Sequence, residues 1–160
     1  MLKVGFVVLL QCFVGVSCCS GHIKFIVNYI KAFFTLLFMA YLLVFIGGGL
    51  GSMARFALSK LNGIYLMPLP VGTLIANVLA SLVLGLVIYF TWHGGSVQHQ
   101  QLRWLVATGF CGGFSTYSTF SYETFLLLDQ GLWAWAALNI IISMLLCLLA
   151  VFVARFLIMS

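Results

Sequence analysis

Long apolar stretches separated by short polar ones dominate this chain. Residues 32–51 are uncharged, and the helical pattern runs on to about Lys60. Residues 71–92 are uncharged as well. Residues 104–128 are apolar apart from Glu123 and a Gly/Ser/Thr-rich interruption, and residues 133–158 carry only Arg155. A helix needs roughly 20 apolar residues to span a bilayer, so the pattern predicts four spans. Asn62-Gly63 with Pro68-Leu69-Pro70, the polar stretch 93–103, and Asp129-Gln130-Gly131 read as the connections. Ahead of them, a weaker apolar run lies between Lys3 and Lys24, interrupted by Gln11, Ser17, Ser20 and His22. Its short basic start and apolar middle have the form of a signal peptide or an additional helix.

Composition fixes the solvent. Of 160 residues, 64% are apolar and 6% charged, against about 25% charged in an ordinary soluble domain. So little polar material cannot cover a soluble surface, and so apolar a chain is not disordered. The class is an all-α integral membrane protein. Seven Lys and Arg against two acids give a net +5, with no basic run. No nucleic-acid site follows from that, and the cations read as orientation charges. From Met39 onward, Arg55 and Lys60 fall toward one side and Arg103 and Arg155 toward the other. That even tally gives no preferred orientation; it fits insertion both ways, and also a chance balance among few charges. Cys12, Cys18, Cys19, Cys111 and Cys147 read as small buried hydrophobes. His22, His93 and His99 lack a zinc-like spacing.

The acids are informative by position. Only Glu123 and Asp129 exist, both late in the third span or after it. Proton-coupled transporters need a carboxylate at membrane depth, and no nucleophile–base set suggests an enzyme. The run from Gly112 to Ser121 is a poor helix interior. It reads either as a break that frees carbonyls to be buried or to hold an ion, or as a close helix contact; its Ser/Thr density favours the break. Asn77 is a buried-span amide with two donors to offer, suited to an interhelical hydrogen bond or to a polar path. Thr73 lies one turn earlier on its face. Tyr117 and Phe120 share a face, and ring edges carry positive potential. Arg55 is either a snorkelling cation or a charge that draws anions. Gly47 and Gly51 have the spacing of a close-packing face.

Three blocks then join up. Gly47-Gly48-Gly49-x-Gly51 with Arg55, Gly72-Thr73-Leu74 with Asn77, and Gly109-Phe110-Cys111-Gly112-Gly113-Phe114-Ser115-Thr116-Tyr117-Ser118-Thr119-Phe120-Ser121 with Glu123 closely resemble the Fluc (CrcB-type) fluoride channel family. The resemblance covers about residues 39–158. It implies four transmembrane helices with a broken third helix, assembled as an antiparallel, dual-topology homodimer. Two fluoride paths would run along the dimer interface around a central structural Na+. The Na+ ligands would be the carbonyls of Gly112 and Ser115. The fluoride path would use Asn77, Tyr117, Ser118, Thr119, Phe120 and Ser143, with Cys147 one turn beyond, and Arg55 would stand in the vestibule. The chain departs from the family pattern at Ser115, where Thr is favoured, at Tyr117, where Phe is favoured, and at Ala80, where Gly is favoured.

The expectation is therefore a passive, fluoride-selective channel that relieves fluoride toxicity. It would be multi-pass in the plasma (inner) membrane, with lipid, fluoride and a second copy of itself as partners, and it would not be an enzyme. Residues 1–38 are expected to be an extension, either signal-like, an extra helix or upstream of the true start at Met39, and residues 39–160 the channel domain. A small drug/proton exporter would require an embedded Glu early in the chain. A non-transport assembly protein would explain the glycines and leave the clustered hydroxyls unexplained.

Overall fold

The computed structural model describes residues 19–60, 68–92 and 96–159. The expected features at 1–18, at Asn62-Gly63 and at Gly94-Gly95 lie outside those residues. Every regular element among the described residues is helical. In chain order they are α1 (Cys19–Ser59), α2 (Val71–Phe90), α3 (Val97–Leu102), a π-helical segment (Arg103–Phe110), α4 (Cys111–Phe114), α5 (Tyr117–Asp129) and α6 (Trp133–Met159). Three helical stretches are long and apolar enough to cross a membrane: Phe25–Ser59, Val71–Phe90 and Trp133–Ile158.

The chain divides into two compact units, Met1–Met39 and Ala40–Ser160. In the first, the described residues are helical, and the side chains from Phe25 onward are exposed. The Thr35 hydroxyl there donates back to the Lys31 carbonyl at 2.9 Å. Helix α1 runs on through Lys24 and Lys31, since a lysine side chain takes no hydrogen bond from the helix backbone.

In the second unit, α2 follows Pro70 at its N-cap, a place where a missing N–H costs nothing. Its far end is closed by a charge. Thr91 is fully buried, and Arg103 donates through Nε to its hydroxyl at 2.6 Å and through a second nitrogen to its carbonyl. A cation is favourable at a helix C-terminus, so Arg103 acts as a structural clamp on α2. The loop expected over 93–103 is shorter than the sequence suggests. Ser96 caps α3, accepting from the His99 N–H at 3.3 Å, and the helix begins at Val97.

The third apolar stretch is not one helix but three helical pieces: the π segment, α4 and α5. The break expected after Gly112-Gly113 is there: Ser115 (φ −78°, ψ 152°) and Thr116 (φ −148°, ψ 105°) are extended between α4 and α5. The π segment upstream was not foreseen. Here the backbone is pressed against α1. A Cβ at Gly47 would collide with the Leu105 carbonyl, and one at Gly51 with the Phe110 carbonyl. Gly47 and Gly51 thus form the close-packing face that their spacing predicts.

The turn at Asp129–Gly131 is a Schellman closure. Leu132 N–H reaches the Leu127 carbonyl at 2.9 Å and Gly131 N–H the Leu128 carbonyl at 3.0 Å. Gly131 supplies the positive φ of 75° that this closure needs. Helix α6 then packs along α2 through small residues. Ala136, Ala150 and Ala154 are buried on α6, and a Cβ at Gly85 on α2 would stand 2.7 Å from that of Ala154. Ala80, where the family favours Gly, is buried in a core with Ala76 and Phe114.

Candidate functional site

The break is held from two directions. In a continuous helix the Thr116 N–H would donate to the Gly112 carbonyl. Here it donates to Asn77 Oδ1 at 2.9 Å. The Gly113 carbonyl accepts from Arg55 Nε at 3.3 Å. Ser115 turns back on α4, with its N–H and hydroxyl both on the Cys111 carbonyl, at 2.9 and 2.8 Å. So Asn77 caps the donor that the break exposes, Arg55 caps one acceptor, and the Gly112 carbonyl is released from its helical partner. The carbonyl end of Asn77 bonds α2 to the break, and the residue also lines a cavity.

Two cavities meet at this point. An open groove of about 380 Å³ is lined by Asn77 and Ser81 from α2, Ser115 and Thr116 from the break, Tyr117 and Phe120 from α5, and Ser143, Met144 and Cys147 from α6. A much smaller cavity, about 20 Å³, lies among Arg55, Ser59, Thr73, Asn77, Thr116 and Thr119. That volume holds one water-sized particle. Asn77 and Thr116 line both cavities. The Thr116 hydroxyl is buried there with no protein partner.

The predicted residues therefore separate. Asn77, Tyr117, Phe120 and Ser143 come together on the groove, and Arg55 and Thr119 on the small cavity. Ser118 is exposed and lines neither. The Tyr117 and Phe120 rings lie 6.1 Å apart at 42°, and Tyr117 is 82% exposed. Ser143 is buried on α6. Gly112 has nothing within 4 Å of the place a Cβ would take. Among the described residues no three His, Cys, Asp or Glu side chains cluster.

Three features escaped the sequence reading. Ser81 lines the groove one turn beyond Asn77, and the i, i+4 spacing would have found it. Thr73 donates to Glu123 Oε1 at 2.9 Å, 50 positions away, so the one acid within the third apolar stretch is engaged by a hydroxyl. Asn139, an amide in the largely apolar α6, is buried and donates to the Thr124 hydroxyl at 2.9 Å.

Residues 42–155 match the family model described as CrcB-like protein, Camphor Resistance (CrcB). The chain is a member of the CrcB family. It is 43% identical over 111 residues to the "Fluoride-specific ion channel FluC" of Pyrococcus abyssi, covering 69% of this chain and 89% of that protein. To the protein of the same description from Pyrococcus furiosus it is 46% identical over 110 residues, 69% and 88% of the two chains. A Salmonella arizonae protein so described is 45% identical over 107 residues, 65% and 81%. The CrcB match encloses every residue that lines the groove and the small cavity.

Proposed function

We propose that this CrcB protein is a fluoride-specific channel of the plasma (inner) membrane, passing fluoride down its gradient and so relieving its toxicity. It is a multi-pass membrane protein, and its family is one of channels rather than enzymes. The observation that carries the reading is the join at Asn77 and Thr116. There a one-particle cavity beside Arg55 adjoins a groove lined by hydroxyls, an amide and two aromatic rings. Fluoride is small and strongly hydrated. A path for it must replace water with donors without holding the ion too tightly. The Asn77 NH2, the hydroxyls of Thr116, Thr119 and Ser143, and the ring edges of Tyr117 and Phe120 are neutral donors of that kind. Arg55 supplies the attracting charge at the entrance. On this reading Ser118 serves the path from its exposed face. Relatives described as fluoride-specific channels support the choice of ion.

The finer architecture belongs to the same proposal. Residues 97–129 make the fourth crossing in pieces, their exposed backbone satisfied by protein. A second, antiparallel copy covers the open groove, which accounts for the exposed Tyr117 ring on its edge. The even split of Arg55 and Lys60 against Arg103 and Arg155 is compatible with both insertions. A structural Na+ at the dimer centre is held by the Gly112 and Ser115 carbonyls. The release of the Gly112 carbonyl from the Thr116 N–H supports this, because hard monovalent cations take neutral carbonyl oxygens. Bound there, the ion would offset the negative charge passing nearby and fix the two breaks to each other.

Purified protein in fluoride-loaded liposomes tests the reading, with a potassium ionophore to dissipate charge and a fluoride electrode outside. Rapid fluoride release with retention of chloride is expected. No release above protein-free vesicles sinks it.

A further inference from the structure

The groove is lined in part by Phe120, and Phe120 is held by a relay that never reaches the groove. Asn139 on α6 is 2% exposed, and its Nδ2 donates to Thr124 Oγ1 at 2.9 Å. Thr124, also buried, donates its own hydroxyl proton to the Phe120 carbonyl at 2.7 Å. A hydroxyl has one proton to give and two lone pairs to offer. With its proton on Phe120, Thr124 can meet Asn139 only as an acceptor, so the direction of the relay is fixed from α6 to α5. Neither Asn139 nor Thr124 lines either cavity.

Phe120 has need of an outside anchor. It stands in the first turn of α5, directly after the extended residues, and its N–H reaches the Thr116 carbonyl only at 3.3 Å. The start of that helix is thus weakly held by its own backbone. On α6, Ser143 lies one turn beyond Asn139 on the same face and lines the groove. One helix face therefore supplies both a groove hydroxyl and the amide that fixes the opposite wall.

We propose that Asn139 is a positioning residue: acting through Thr124, it sets the orientation of Phe120 at the groove and thereby the rate of ion passage. The inference rests on the channel reading above. Asn139→Leu and Thr124→Val remove the two ends of the contact with little change of volume. Each is expected to slow fluoride efflux about tenfold, the size expected when a buried polar partner is left unmet. The double variant is expected to be no slower than either single one, since the two changes remove one interaction. Thr124→Ser restores the hydroxyl and with it most of the rate. A second readout is independent of transport: the 19F resonance of 4-fluorophenylalanine placed at position 120. It is expected to move in both single variants and to return in Thr124→Ser. Normal efflux in both single variants overturns the proposal. So does slowed efflux with an unmoved resonance, which puts the effect elsewhere. If the unaltered protein releases no fluoride, the channel reading fails, while the resonance still decides whether the relay holds Phe120.

Discussion

Gly112 and Gly113 are neighbours with opposite surroundings. A Cβ on Gly113 would collide with the Gly48 carbonyl, whereas one on Gly112 would meet nothing within 4 Å. The same contrast extends along the whole broken segment. One side is pressed backbone to backbone against the glycines of α1, with buried Cys111 and Phe114 beside it. The other side opens on the groove. The packed side obliges the helix to leave α geometry. The open side carries the groups that departure sets loose: the Thr116 N–H, taken up by Asn77, and the Gly112 carbonyl it no longer meets. A glycine pair that looks like a single signal in sequence therefore does two jobs, one steric and one of exposing backbone.

Substitutions on the packed side should do the most damage. Gly51→Ala places a methyl on the Phe110 carbonyl, and backbone cannot rotate away, so a loss of about 3 kcal/mol is expected. Thermal unfolding in detergent would read it; an unchanged midpoint would mean that the two segments can part freely. Next comes the join of the two sides. Asn77→Asp keeps an acceptor for the Thr116 N–H and replaces the donor end with a like charge. Fluoride efflux should fall on the order of 100-fold while the fold persists, and unchanged efflux would remove Asn77 from the path.

Arg55 divides between roles, and salt separates them. Arg55→Gln is expected to slow efflux about tenfold at low ionic strength and less at high, where its field is screened. A loss that ignores salt would assign Arg55 wholly to holding the Gly113 carbonyl. The smallest effect belongs to Gly112→Ala. The monomer should lose no stability, since alanine suits a helix by up to about 1 kcal/mol over glycine. If the proposed dimer holds, the deficit should appear in its assembly, read by cross-linking in membranes. A marked drop in monomer stability would erase the contrast between the two glycines.

Much of this was legible in the chain. Helices α2 and α6 follow from uninterrupted apolar runs, with Pro70 before one and Gly131 before the other. The break follows from Gly-Gly before clustered hydroxyls, none of which favours a helix interior. Asn77 stands out as an amide within an uncharged apolar run and Phe120 by its spacing from Tyr117, whereas Ser143 entered only through the resemblance to the family. What remained hidden is set at a distance. The π segment has no local signature, because it answers to glycines some 60 positions earlier. The pairing of Thr73 with Glu123, and that of Asn139 with Thr124, depend on which helix faces meet. The helix that carries the first apolar run begins well before it, at Cys19, because charge marks where a helix can stay in lipid and does not mark where its hydrogen bonds stop.

The two arginine clamps carry a consequence for biosynthesis. When the chain is threaded into the membrane, α4 and the end of α2 have not yet been closed, and the guanidinium groups of Arg55 and Arg103 are free to be counted. In the finished molecule Arg103 is bound at the end of α2 through two nitrogens, and Arg55 holds a carbonyl of the break. Two of the four cations that enter the orientation tally are thus afterwards engaged as fasteners. Lysine at position 103 would carry the same charge without the forked grip on Thr91, so Arg103→Lys should leave insertion intact and loosen only what is assembled later.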